Sequence, residues 1–217
     1  MCAGKPTGHA VIQVDKAGQN CIIVEAGANG AVTETMIDAA LSGAVPGDIF
    51  LAQNETSAIA CAMRRAKSRG MRVALNPAPM NESVFSLPLD SVDFLIVNES
   101  EGAEIAGMKS GGAESRDMEK VFGKLRGRFP TATIILTLGA DGAMAAKPRG
   151  EILRLAAHPA KVADSTAAGD CFTGYLLAKI ADGASLNDAL RTANIAASIC
   201  VSRHGASVSI PRKNEVA

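Results

Sequence analysis

Short apolar runs alternate with amphipathic segments along most of this chain, and that alternation restricts its fold more than any other feature. Runs such as 71–75, 93–97 and 132–138 are apolar almost throughout and rich in Val and Ile. Strands of a parallel sheet are apolar along their whole length because helices bury both faces of the sheet. The sequence therefore predicts an α/β fold with a mainly parallel, doubly wound sheet flanked by helices.

The same pattern gives the order of the elements. Strands are predicted at 48–52, 71–75, 93–97 and 132–138, followed by a hairpin of 143–147 and 151–155. Helices are predicted at 33–41, 59–70, from 98 onward, 114–128, 170–182 and 186–202. Near the start, 9–14 and 21–25 flank a polar connection and predict a separate hairpin. We divide the single domain 1–217 into a small partial β lid at 7–28 and an α/β core at 29–217.

Composition excludes several classes of function. Lys plus Arg equal Asp plus Glu at 22 each, so no overall field favours nucleic acid or an anionic membrane. The five cysteines are scattered and contain no C-x-x-C pair, which indicates reduced thiols in a cytoplasmic protein. The opening residues lack the apolar centre of a signal peptide, and no apolar run approaches the length of about 20 residues that a membrane span needs.

Polar residues follow the apolar strands at several points. Right-handed crossovers place the C-terminal ends of parallel strands along one sheet edge, where ligands of open α/β sheets bind. The candidates for this edge are Asn54-Glu55, Asn76, Asn98, Gly139 and Asp164.

The segment 164–175 predicts a loop that leads into a buried helix, because Phe172 and Leu176 begin an apolar repeat behind a small, polar run. A helix N-terminus offers free backbone N–H groups and the positive end of the helix dipole, and both suit phosphate. Gly169 allows a ligand to approach the backbone closely. Asp170 then has two readings: a base that accepts the proton of an attacking hydroxyl, or a simple helix cap.

Other phosphate-binding and hydrolytic motifs are absent from the sequence. No Lys-Ser or Lys-Thr follows a spaced Gly pair, and G-x-G-x-x-G is missing. The three histidines are far apart, without H-E-x-x-H or G-x-S-x-G around them. A phosphate-binding helix start with an Asp in its first turn is therefore the strongest remaining signal.

The segment 164–174 resembles the D-T-x-A/G-A-G-D-x-F-x-G signature of the ribokinase-like (pfkB) carbohydrate kinases. Further stretches match the same family in the family's order, across nearly the whole chain. They are 7–12, 27–29, 53–55, 75–79, 98–101, 137–142 and 203–206. The resemblance implies the ribokinase-like α/β fold and transfer of the ATP γ-phosphoryl group to the primary hydroxyl of a furanose sugar, with D-ribose as the expected sugar.

The resemblance also implies a role for individual residues. Asp170 would be the catalytic base and contact the substrate, Glu55 would be a carboxylate of the sugar pocket, and an anion hole would be formed by Ala167, Ala168 and Gly169. The nucleotide would be bound by Asn98, by Gly169 and by Asn194, which would lie beside the adenine. The turn lining the nucleotide site would be Thr137, Leu138, Gly139, Ala140, Asp141 and Gly142.

Two metal ions are implied in the same way. Mg²⁺ would arrive with ATP and keep much of its water shell. K⁺, a monovalent activator, would lie near the anion hole, with several ligands supplied by backbone carbonyls. Its ligand residues would be Asp164, Thr166, Cys200, Arg203, Gly205 and Ser209.

Simpler structural roles compete with these assignments. Glu55 could be a solvated acid at a helix start, and Asn98 a helix N-cap. Gly139 and Gly142 could be turn glycines only. Cys200 could be a small core residue even if its carbonyl faces an ion.

The sequence also departs from the family pattern. Family members carry an N-terminal portion ahead of 7–8, with an N-x-D segment and a G-G-K-G-A-N run, and this sequence contains neither. Ser165 replaces the commoner Thr, and Cys171 replaces a usual Thr. Three readings follow: a ribokinase-type enzyme given as a shortened chain, a non-catalytic nucleotide-binding variant, or a kinase for another sugar or nucleoside. Apolar side chains of the 8–26 hairpin would favour a homodimer through the lid.

Overall fold

The computed structural model describes residues 4–14, 20–108, 112 and 114–216. The strands are β1 (His9–Val14), β2 (Asn20–Glu25), β3 (Ile49–Ala52), β4 (Arg72–Leu75), β5 (Phe94–Val97), β6 (Thr133–Thr137), β7 (Ala143–Ala146) and β8 (Leu153–Leu155). The α-helices are α1 (Glu34–Ala40), α2 (Ile59–Ser68), α3 (Glu99–Ile105), α4 (Met118–Arg128), α5 (Ala168–Ala181) and α6 (Leu186–Val201). Most of the predicted lid connection, 15–19, lies outside the described residues.

The chain divides into two compact units, Met1–Ser91 and Val92–Ala217. In the first unit, β1 and β2 pair antiparallel as the predicted hairpin, and β3 pairs parallel with β4. Four residues of α2 have the i, i+3, i+4, i+7 spacing that predicts one helix face, and this prediction is confirmed because all four are buried. These residues are Ile59, Ala62, Met63 and Ala66.

The C-terminal ends of β3 and β4 are joined by hydrogen bonds. The Gln53 side-chain amide donates to Asn76 Oδ1 at 2.8 Å, and the Asn54 backbone N–H donates to the Ala78 carbonyl at 2.7 Å. Asn54 and Asn76, two of the polar residues predicted at the sheet edge, therefore lie in the hydrogen-bonded segments that follow β3 and β4.

The second unit contains a mixed arrangement of strands. β5 pairs parallel with β6, whereas β6 with β7 and β7 with β8 pair antiparallel. The hairpin of β7 and β8 was expected, and it makes this unit less parallel than a doubly wound sheet of βαβ repeats. α3 and α4 pack against β6, and α5 packs along α6. The α/β class is confirmed.

Two helix starts differ from their predicted positions. α4 begins at Met118 because Asp117 caps it, its Oδ1 accepting from the Lys120 N–H at 3.2 Å, and Glu114–Arg116 forms a separate 3-10 turn. α5 begins at Ala168, ahead of the predicted 170, because Ala167 adopts a left-handed backbone conformation at its N-cap. Within the described part of the chain, no helix combines the length and apolar character needed to cross a membrane.

Candidate functional site

The site is built around the first turn of α5. Ala167, at the N-cap, has φ +61° and supplies no side-chain cap to the helix. The Ala168 N–H reaches the Ser165 carbonyl at 3.3 Å, and regular hydrogen bonding resumes with the Cys171 N–H on the Ala167 carbonyl at 2.8 Å. The first N–H groups of a helix have no carbonyl of their own helix to bond to. This turn thus presents donors in the manner of an anion site.

Space is open in front of this turn. Apart from its own helix and chain neighbours, no described atom lies within 4 Å of the position that a Cβ on Gly169 would occupy. Asp170 is the third helical residue and is exposed. Ala167 holds the N-cap position, so the alternative that Asp170 is the cap is wrong.

Asn98 directly follows β5, at the C-terminal end of that strand. Its Oδ1 accepts from the Glu101 N–H at 2.9 Å, and the Glu101 carboxylate accepts from the Asn98 N–H at 3.0 Å, which forms a capping box on α3. Asn98 is therefore an N-cap, as one reading held. Glu101 is buried, and burial raises the pKa of its carboxyl.

The turn after β6 lies next to the start of α3. Thr137 Oγ1 donates to the Val97 carbonyl at 3.3 Å, and a Cβ on Gly139 would be 3.9 Å from Glu99 Oε1. Gly142 is required by packing, because a Cβ there would be 2.0 Å from the Leu155 carbonyl oxygen. The structural role suggested for Gly142 is thus confirmed.

A cavity of about 460 Å³ brings several predicted residues together. Gly139 and Ala140 of the turn, Ala168 of the α5 start and Asn194 of α6 all line it. Residues without a predicted role complete the lining: Ala157, His158, Pro159, Ala160, Val162, Ser165, Ala197, Ser198 and Val201.

Sequence reasoning missed this second group for a definable reason. The 156–163 segment has no periodic pattern, so nothing in it distinguishes a cavity wall from a surface loop. On α6, however, positions 194, 197, 198 and 201 follow the i, i+3, i+4, i+7 spacing of one helix face. The periodicity of the sequence also predicts Ala197 on the apolar stripe of Leu186, Ala189, Leu190 and Ala193, but in the structure those four are buried and Ala197 lines the cavity.

The residues predicted to bind K⁺ are linked to one another around Asp164. Asp164 Oδ1 accepts from the Thr166 N–H at 2.9 Å, and Oδ2 accepts from the Gly205 N–H at 3.0 Å. The Thr166 hydroxyl and then the Gly205 N–H lower the pKa of Asp164 to about 2. Cys200 Sγ lies 3.1 Å from Ser209 Oγ.

Further bonds extend the same cluster. Cys200 Sγ lies 3.8 Å from the Thr166 carbonyl oxygen, and the Cys200 carbonyl accepts from the Arg203 N–H at 3.1 Å. Cys200 is fully buried, so its side chain is also part of the core. Among the described residues, no group of three or more His, Cys, Asp and Glu side chains is arranged to hold a metal ion.

Two further cavities involve predicted residues. Asp170 lines one of about 330 Å³ together with Tyr175, Ile210 and Lys213. In the first unit, Glu55 is exposed and lines one of about 320 Å³ with Phe50 and Ile59. The first turn of α2 contains no acidic residue, which removes the reading of Glu55 as a helix-start acid.

The sequence and the structure were compared with those of known proteins. The sequence matches the profile described as pfkB family carbohydrate kinase over residues 2–213. It is 37% identical to the bifunctional ribokinase/ribose-5-phosphate isomerase A of Fructilactobacillus sanfranciscensis, over 97% of this chain and 38% of that protein. The chain therefore spans well under half of this relative.

The matches to solved structures cover a larger share of the compared chains. The ribokinase of Cryptococcus neoformans var. grubii in complex with ADP has a TM-score of 0.86 and 31% identity, over 100% of this chain and 72% of that one. Arabidopsis thaliana ribokinase complexed with ribose and ATP has a TM-score of 0.82 and 31% identity, over 98% and 69%. With the profile match, these results show that the chain belongs to the pfkB family of carbohydrate kinases.

Proposed function

We propose that this chain performs the chemistry of a ribokinase, transferring the γ-phosphoryl group of ATP to O5 of D-ribose to give ribose 5-phosphate. The observation that carries the proposal is the cavity of about 460 Å³, which joins the 139–140 turn, the start of α5 and Asn194. Two structural relatives described as ribokinases were solved with ADP and with ribose and ATP. Those ligands are the nucleotide and the sugar proposed for this chain.

The start of α5 binds and stabilises the transferring group. The N–H groups of Ala167, Ala168 and Gly169 act as an anion hole for charge that develops on the phosphoryl oxygens, and the Ala168 N–H exchanges its long 3.3 Å bond to the Ser165 carbonyl for the anion. The open space in front of Gly169 supports this role, since no neighbouring element of the described chain fills it. The positive end of the α5 dipole adds to the attraction.

Asp170 accepts the proton of the attacking hydroxyl. It stands in the first turn of α5 and is exposed, so a sugar hydroxyl can reach its carboxylate. In the first unit, the family pattern at 53–55 suggests Glu55 as a carboxylate that binds sugar hydroxyls, and Glu55 is exposed and lines a cavity of that unit. The transferred phosphoryl group moves from the β-phosphate oxygen to the sugar oxygen, and ADP leaves.

The nucleotide is bound along the sheet edge. The Thr137–Gly142 turn and Gly169 line the phosphates, and Asn194 stands on the helix that borders the base. Asn98 caps α3 through Oδ1, which leaves its side-chain N–H groups for the phosphates or for water on their metal ion. Mg²⁺ enters with ATP and supplies charge neutralisation of the phosphates.

K⁺ binding beside the anion hole is supported by the chemistry of the donors. The Asp164 carboxylate, the backbone oxygens of Thr166 and Cys200 and the Ser209 hydroxyl are the oxygen ligands that a hard cation prefers. The carboxyl group of Asp164 remains ionised at any physiological pH, with a pKa of about 2. Arg203 and Gly205 would complete the K⁺ site from the segment after α6.

The test is sugar-dependent ADP formation by this chain with ATP and Mg²⁺, in KCl and in NaCl. We expect D-ribose to be phosphorylated faster in KCl, with ribose 5-phosphate identified by ³¹P NMR. D-Fructose and nucleosides serve as competing acceptors, and faster turnover with either would transfer the proposal to that substrate. ADP binding without turnover on any acceptor would support the non-catalytic alternative instead.

A further inference from the structure

One wall of the 460 Å³ cavity is a segment of irregular backbone, 156–160, that is attached to α6 by side chains. Asn194 Nδ2 donates to the Ala156 carbonyl at 2.6 Å, and Asn194 Oδ1 accepts from the His158 N–H at 3.2 Å. Ser198, one helical turn later, has its Oγ 3.3 Å from His158 Nδ1. The wall is thus attached at three points to one face of α6.

These contacts change the role expected for Asn194. An asparagine that reads a nucleobase needs its amide oxygen and nitrogen for the base. Here each of those atoms already has a backbone partner in the wall, at Ala156 and at His158. Breaking both bonds in order to read a base would leave a peptide carbonyl and a peptide N–H without these partners, which is unfavourable.

Ser198 adds a second attachment that does not depend on Asn194. Its hydroxyl donates to the Ile195 carbonyl at 2.7 Å, which leaves the oxygen as an acceptor toward the imidazole. The contact between His158 Nδ1 and Ser198 Oγ restricts rotation of the imidazole ring, whichever of the two atoms donates. His158 itself lines that cavity.

We propose that Asn194 is a positioning residue, which sets nucleotide affinity by holding the 156–160 wall in place, and that Ser198 assists it through His158. This inference rests on the proposed function, because it takes the occupant of the cavity to be the base and ribose of an adenine nucleotide. In this inference, the 156–160 wall contacts the nucleotide, and the Asn194 side chain does not.

The experiment measures binding of ADP and of inorganic tripolyphosphate by calorimetry, with hydrogen exchange of the 156–160 backbone in the absence of any ligand. Variants are Asn194→Ala, Asn194→Asp, which keeps the acceptor for the His158 N–H, and Ser198→Ala. We expect Asn194→Ala to bind ADP about tenfold more weakly, a change equivalent to about 1.4 kcal/mol. Tripolyphosphate affinity stays unchanged, since it uses the anion hole alone.

Hydrogen exchange distinguishes a positioning role of Asn194 from direct hydrogen bonding between Asn194 and the base. We expect faster exchange in 156–160 for Asn194→Ala without ligand, a partial effect for Asn194→Asp and a smaller one for Ser198→Ala. Weaker ADP binding with unchanged exchange would overturn the proposal in favour of direct contact. ADP affinity equal to wild type would overturn it outright. If the wild-type chain binds tripolyphosphate and ADP equally, or binds neither, the proposed function fails first.

Discussion

The Asp164 carboxylate and the Gly205 backbone N–H are joined by a hydrogen bond of 3.0 Å, although the two residues are 41 positions apart. The bond connects the loop before α5 to the tail after α6. Because Asp164 also accepts from the Thr166 N–H, the approach to the α5 N-terminus is ordered by the same carboxylate. The loop that leads into the proposed anion hole is consequently tied to the segment after α6.

Replacing Asp164 by Asn changes how stability depends on pH. The folded pKa of Asp164, about 2, lies below the ordinary value of 3.8. Its stabilisation is therefore complete above about pH 4 and is lost as the pH falls from about 4 toward 2. We expect Asp164→Asn to be less stable than wild type at neutral pH and to lose less stability across that window.

The measurement is urea unfolding at a series of pH values from 6 down to 2.5. Glu151→Gln removes an exposed carboxylate from the same unit and controls for net charge. Parallel stability curves for wild type and Asp164→Asn would contradict the prediction.

The two glycines of the 139–142 turn should respond differently to alanine. A Cβ at Gly142 would lie 2.0 Å from a backbone oxygen of β8, and φ is +99°, so Gly142→Ala must displace the β7–β8 hairpin. We expect a loss of at least about 2 kcal/mol in the free energy of unfolding. A Cβ at Gly139, where φ is +52°, would make only an ordinary contact of 3.9 Å with Glu99 Oε1, and Gly139→Ala should cost only about 1 kcal/mol. Equal losses by thermal denaturation would refute this account of the turn.

The capping box on α3 gives a matched pair of variants. Asn98→Ala removes the cap and should lower the free energy of unfolding by about 1 kcal/mol. Glu101→Gln keeps the reciprocal hydrogen bond, since Gln serves in the same box. At neutral pH, Glu101→Gln should therefore lower the free energy of unfolding by less than Asn98→Ala does.

The raised pKa of Glu101 predicts the direction in which the effect of Glu101→Gln on stability changes with pH. Stability from a group with a raised folded pKa is present below its unfolded pKa and is lost as the pH rises through the folded value. Glu101→Gln does not titrate, so its stability relative to wild type should increase from pH 4 to pH 7. A relative decrease, measured by urea unfolding, would show that the ionised carboxylate is favoured at this position.

Pairing of two copies through the lid remains a proposal that the hairpin itself supports. Val11 and Ile23 are cross-strand partners, and they are 50% and 59% exposed. We expect the chain to be a dimer by light scattering and the double variant Val11→Ser, Ile23→Ser to be a monomer. Val208→Ser, at an exposed apolar residue outside the hairpin, should remain a dimer. A monomeric wild type would rule out this pairing.

Local sequence patterns were sufficient for the strands and for the helices with a regular apolar face. The buried face of α2 and the β7–β8 hairpin follow directly from spacing. The start of α5 did not, because a left-handed Ala167 has no sequence signal of its own: position 167 carries a Cβ, and glycine is the usual residue at such a φ.

Site residues could be predicted where the residue type itself indicates a chemical role. They were harder to predict where tertiary packing determines which residues line the cavity. The family resemblance grouped Asp164 with Gly205 and Cys200 with Ser209, and in the structure the members of each pair are in contact. The 156–160 wall could not be anticipated, since its role depends on two α6 side chains that reach it across 36 to 40 positions of sequence.

The most direct test of the central claim compares wild type with Asp170→Asn. We measure ribose-dependent ADP formation in KCl alongside ADP binding, with Asp182→Asn, at the C-cap of the same helix, as the control for charge. The account predicts that Asp170→Asn loses turnover by at least about a hundredfold while binding ADP as the wild type does. Turnover close to wild type in Asp170→Asn would contradict the assignment of this carboxylate as the base.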